Sequence, residues 1–152
     1  MFERLKQLFR DELQQEDQDE GAQLRLALAA LLFEVIWADH QIDERELEAL
    51  KRGLTQGFGI DPAQVEALVE QAHAHIKEAT SIYPLTRLVM ERSSEEERRE
   101  LVTQLWQVAL ADAVLDKYEE HTIRKIADLL YLSHADFIAA KREARTRLGG
   151  DS

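Results

Sequence analysis

The chain contains no cysteine, which excludes disulfides, thiolate nucleophiles, iron–sulfur clusters and cysteine-ligated zinc together. Two prolines and six glycines leave few points at which a helix must stop. No β-branched stretch alternates apolar and polar positions with period two, so no strand is expected. Long apolar runs are missing as well. The most hydrophobic segment, Leu26 to Ala38, is interrupted by Glu34 and falls short of the roughly 20 residues that span a bilayer. A basic excess is also absent: 19 lysines and arginines stand against 30 acids, for a net charge of -11. Such a surface repels nucleic acid and anionic lipid and attracts cations or basic protein surfaces. The first residues, Met1-Phe2-Glu3-Arg4-Leu5-Lys6, lack the apolar core and small-residue cleavage site of a signal peptide, so a cytoplasmic location is expected.

What is present is helical periodicity over 152 residues, a length that suits one domain. A first amphipathic helix is predicted over about 2–15, with Phe2, Leu5, Leu8 or Phe9, and Leu13 on one face. Its polar side mixes both charges (Glu3, Lys6, Arg10, Asp11), which favours packing on its own domain over lying on a membrane. The acidic run Glu16 to Glu20 reads as a linker. Residues 1–20 are therefore set apart from an all-helical domain over 21–148. In that domain a helix at about 22–38 is apolar almost all round and should be central. A second carries Leu47, Leu50, Leu54 and Phe58, and a third opens at Asp61-Pro62-Ala63-Gln64, a start with a cap and a first-turn proline. Tyr83-Pro84 breaks the pattern. After Ser93-Ser94-Glu95-Glu96-Glu97, another capping-box start, the three-helix pattern recurs.

The recurrence is an internal repeat, about 22–79 and 94–148. An offset of 73, from Asp39 to Asp112, sets Leu28 on Leu101, Leu32 on Leu105, Phe33 on Trp106 and Leu50 on Ile123. Glu34 falls on Gln107, so both copies place polarity at one point. Two copies are too few for a solenoid. The expectation is seven to eight helices, with two three-helix units packed about a pseudo-two-fold axis.

At the centre of each copy stand Ala38-Asp39-His40-Gln41-Ile42-Asp43-Glu44-Arg45-Glu46 and Ala111-Asp112-Ala113-Val114-Leu115-Asp116-Lys117-Tyr118-Glu119. The spacing of Asp43 to Glu46, and of Asp116 to Glu119, is that of a capping box. Asp39 and Asp112 need a separate account, because a carboxylate near a helix C-terminus is disfavoured by roughly 0.3–1 kcal/mol. Free backbone amides, a basic side chain or a bound cation would compensate. An oxygen-only donor set suits a hard divalent cation such as Ca²⁺ or Mg²⁺. The element is no EF-hand, which needs about twelve residues and a central glycine; a metal site shared between the halves is the expected form.

Other residues read more plainly. His73 and His75 lie two apart on a helix, do not share a face, and are taken as surface residues. Trp37 and Trp106 belong to the buried central helices. No nucleophile elbow or phosphate loop occurs, and acid–base catalysis would need carboxylates whose pKa values are split by their surroundings.

The doubled Ala-Asp-x-x-(Ile/Leu)-Asp-x-x-Glu element, with Tyr83-Pro84-Leu85-Thr86-Arg87 between the copies, resembles the TerB-like family of bacterial proteins over about residues 21–148. The resemblance implies an all-helical fold, a clustered acidic surface and a link to metal or membrane stress, without a defined enzymatic activity. It carries site roles onto Asp39, Asp43, Glu46, Asp112, Asp116 and Glu119. Family members commonly have glycine after the first aspartate, whereas this chain has His40 and Ala113. Side chains there resist left-handed dihedrals, so a differently turned junction is expected. The functional expectation is a non-enzymatic, stress-associated module with a divalent-cation site, a protein partner and no nucleic acid. The alternative is an adaptor whose acidic face meets a basic partner, the carboxylates serving only as caps. A membrane would be reached only through a partner or the N-terminal helix.

Overall fold

The computed structural model describes residues 18–112 and 114–150, with backbone alone for 18–20 and 150. The predicted N-terminal helix and most of the acidic linker lie outside the described residues. Among those described there are seven α-helices and no strand. Helix α1 spans Gln18–Ile36 and ends in a 3-10 turn, Trp37–Asp39; α2 spans Glu44–Arg52 and runs into a π-helical turn, Gly53–Gly57. Then come α3 (Pro62–Glu78), α4 (Tyr83–Arg92), α5 (Glu95–Ala109), α6 (Lys117–Leu129) and α7 (His134–Arg145), the last followed by the turn Thr146–Gly150.

The starts of these helices follow local chemistry. Asp61 accepts a hydrogen bond from the Ala63 amide at 3.0 Å, with Pro62 in the first turn of α3. At α5 the Ser94 hydroxyl accepts from Glu97 N–H at 3.1 Å while the Glu97 carboxylate accepts from Ser94 N–H at 2.7 Å. Each cap satisfies amides that an α-helix leaves unpaired, worth about 1 kcal/mol.

Burial then assembles the layers. Leu24, Leu28, Leu31, Leu32, Phe33 and Ile36 of α1 are all at most 1% exposed, and each such side chain contributes roughly 1.5–3 kcal/mol by leaving water. Helix α1 accordingly touches α2, α3, α4, α5 and α6. By length and composition the segment Gly21–Asp39 is apolar enough to cross a membrane, which the count from Leu26 alone did not show. Its surroundings are those of a core helix, since 61% of its apolar window is buried within the protein.

The two copies interlock. The first helix of each repeat (α1, α5) packs on its own third helix (α3, α7) and also on the second helix of the other repeat (α6, α2). This exchange brings the starts of α2 and α6 together. Where α2 ends, α5 approaches closely: a Cβ on Gly53 or Gly57 would stand 2.8 or 2.9 Å from the Gln104 amide. Buried Gln104 donates from Nε2 to Glu100 Oε2 at 3.0 Å. Glu100 in turn holds Arg147, whose Nη2 donates to Glu100 Oε1 at 2.7 Å and whose Nη1 donates to Gln107 Oε1 at 3.2 Å. The C-terminal turn is thereby tied to α5.

A candidate acidic site between the repeats

The two aspartates at the ends of the central helices turn the same way. Asp39 Oδ1 accepts from Gln41 N–H at 3.0 Å, and Asp112 Oδ1 accepts from Val114 N–H at 3.0 Å. Each is compensated by an amide of its own loop rather than by the next helix. His40 takes the left-handed conformation that glycine would favour, φ 62° and ψ 23°, so the expected change of turn does not occur there. Histidine is among the residues that enter this region more readily than most. Ala113, its counterpart, lies outside the described residues.

The caps follow. Asp43 Oδ1 accepts from the amides of Arg45 (2.8 Å) and Glu46 (3.3 Å), and Asp116 Oδ1 accepts from Tyr118 N–H at 2.6 Å. Only the second copy completes the reciprocal box, with Asp116 N–H donating to Glu119 Oε1 at 3.4 Å. Glu46 makes no such bond back to Asp43.

Both glutamates are buried, each only 3% exposed. Their carboxyls meet across the repeat boundary, close enough for each to perturb the other's ionisation. Burial first, then the hydrogen bond and the negative charge of Glu119, push the Glu46 pKa up to about 10. Burial also raises Glu119. Asp43 moves the opposite way, lowered chiefly by its side-chain hydrogen bond from Arg45, with which it forms an exposed ion pair at 3.3 Å. The split in carboxyl pKa values that the sequence did not reveal is therefore present, but among the described residues no hydroxyl, thiol or imidazole lines the cleft.

All six carboxylates singled out in the sequence line one cleft of about 250 Å³, together with Gln41, Ile42 and Val114. The donors are all oxygen, which suits a hard cation and neither copper nor structural zinc. As they stand, no three acidic or histidine side chains among the described residues are gathered to hold a single ion. A cation would thus draw the carboxylates inward or keep water among its ligands, as Mg²⁺ commonly does.

Capping spacing explained Asp43 and Asp116 but hid the burial of Glu46 and Glu119. A usable signal lay in the helical stripe. Glu46 is four residues before Leu50 and Glu119 four before Ile123, and both apolar partners are wholly buried. The histidines also divide differently from expectation. His73 is half-buried, stacked on Phe33 with ring centroids 4.6 Å apart and edge-on to Trp37 at 5.2 Å, because α3 packs on α1. Trp106 is fully buried, whereas Trp37 is only partly so.

Comparison with known proteins places this geometry. The family model described as tellurite resistance protein TerB matches residues 25–142. A crystal structure of a protein of unknown function from Porphyromonas gingivalis W83 superposes with a TM-score of 0.62 at 20% identity, covering 82% of this chain and 95% of that one. That likeness extends to the fold. No curated protein matches the chain.

Proposed function

The chain belongs to the tellurite resistance TerB family, and from that premise we propose that it is a non-enzymatic, stress-associated module whose inter-repeat cleft binds a divalent cation of the Ca²⁺ or Mg²⁺ kind. The observation that carries the reading is the meeting of two buried glutamates, one from each repeat, at the floor of a cleft lined by four further carboxylates. Neither glutamate makes an ion pair with a basic side chain among the described residues. Two carboxylates buried against one another repel, because little water is left to screen them. Either a proton or a cation must therefore sit between them. Cation binding displaces the proton, so affinity rises with pH. Asp39 and Asp112, whose second oxygens are free of backbone bonds, supply the next ligands.

Thermal melts in Ca²⁺, Mg²⁺ and Zn²⁺ test this. An ion at about 100 times its dissociation constant adds about 2.7 kcal/mol, which for a chain of this size is roughly 5–11 °C. Asp39→Asn with Asp112→Asn should remove the shift. No change with any ion would sink the reading.

One observation favours a second reading. Ile42, Val114 and Tyr118, beside the carboxylates in sequence, are 41%, 67% and 56% exposed. Apolar and aromatic side chains around an acidic centre fit a protein partner that inserts a lysine or arginine. Under this adaptor reading the melts are unaffected by metal, and capture of a basic peptide persists in EDTA.

A further inference from the structure

The turn that carries Asp39 has a second face. Asp39 lines the acidic cleft, but its neighbours Trp37 and His40 line a separate cavity of about 240 Å³, bounded by the end of α3, residues 79–82 and α6. Its chemistry is the opposite of the cleft's. Lys77 and Lys125 both line it, and among the described residues neither makes an ion pair. That is notable in a chain with 30 acids and 19 bases, where a surface lysine has many carboxylates to choose from. Ser81 also lines the cavity; its Oγ accepts from Tyr83 N–H at 3.0 Å, and nothing described accepts its own proton. Trp37 adds a flat, partly exposed wall, with the His40 ring edge-on to it at 5.2 Å. One acid is present, Glu34. Burial raises its pKa against the opposing pull of Lys125, toward the form that donates a hydrogen bond to an anion instead of repelling it.

We infer that this cavity binds a small oxyanion, a carboxylate or phosphate compound, held by the ammonium groups of Lys77 and Lys125 and the Ser81 hydroxyl, with its body against Trp37. Charge-assisted bonds from two ammonium groups and a hydroxyl form the usual recognition set for such groups. A cavity of this volume surrounds a small group, since sites that bury drug-sized molecules run to roughly 300–1,000 Å³. The cavity is thus scaled to a small metabolite or inorganic phosphate. The inference does not rest on a cation in the cleft.

Tryptophan emission reads the site directly, because Trp37 lines the cavity while Trp106 is wholly buried elsewhere. The intact chain in EDTA is titrated with inorganic phosphate and, separately, with succinate, at ionic strength held constant by chloride. A saturable change is expected with at least one of them. Saturation by phosphate alone identifies a phosphate site, and by succinate alone an organic-acid site. Lys77→Gln with Lys125→Gln, both at exposed positions, should raise the half-saturation concentration at least about tenfold. In Trp37→Phe the emission change should vanish while the amide resonances of Ser81 and Lys125 still shift on titration. A change that follows ionic strength alone, or survives unaltered in the double lysine variant, would overturn the inference and leave two solvated surface lysines.

Discussion

Replacing Glu46 with glutamine should flatten the dependence of stability on pH in the metal-free protein. Glu46 ionises near 4.5 in its ordinary state but near 10 in the fold, where burial and the Glu119 carboxylate oppose its charge. Between those two values the native state binds a proton that the unfolded chain has released. Stability is therefore greatest below the unfolded pKa and is lost as pH rises toward the folded one, by up to about 1.4 kcal/mol per pH unit. From about pH 6 to about pH 8 the loss reaches about 2.7 kcal/mol, or roughly 5–11 °C in melting temperature for a chain of this length. Glutamine in the same place still donates a hydrogen bond to Glu119 but has no proton to lose. Thermal melts in EDTA across this range, taken as the difference between wild type and Glu46→Gln, isolate the titration of the Glu46–Glu119 pair from that of the distant groups. The variant should overtake the wild type with rising pH, and added Ca²⁺ should restore the wild type more than the variant. Parallel curves at all pH values would refute a shared proton between Glu46 and Glu119.

Two further outcomes concern the supporting structure. Arg147→Met leaves Glu100, 6% exposed, without its charged partner; a loss of about 3 kcal/mol is expected in chemical unfolding, and a smaller loss in Arg147→Met with Glu100→Gln, which removes the charge but keeps an acceptor for Gln104. Gly57→Ala should destabilise the wild type, because the new Cβ displaces the Gln104 amide at 2.9 Å. Combined with Gln104→Ala the same change should become neutral or stabilising, a coupling of about 1–2 kcal/mol in a double-mutant cycle.

Much of the helical layout was legible because it depends on local chemistry. The apolar circumference of α1, the proline after Asp61 and the Ser94–Glu97 pair each act within about one helical turn. The junction's six acids were visible for the same reason, as a pattern repeated at an offset of 73 from Asp39 to Asp112. Their division was not. Asp43 with Glu46 and Asp116 with Glu119 have identical spacing, yet only the second pair closes a capping box. His73 likewise changes from a surface residue to one packed on Phe33 and Trp37, since its surroundings come from α1, distant in sequence.

By itself, then, the sequence determined the helices, their caps, the doubling and the set of carboxylates, since each follows from side chains within a few residues of one another. Only the tertiary structure decided that α1 meets α6 while α5 meets α2. That crossed packing brings Glu46 against Glu119, and the tertiary fold puts Lys77 and Lys125 in the lining of one cavity. Burial and proximity between distant segments, which set the charge state of the two glutamates, are properties of the packing and are written in no single stretch of chain.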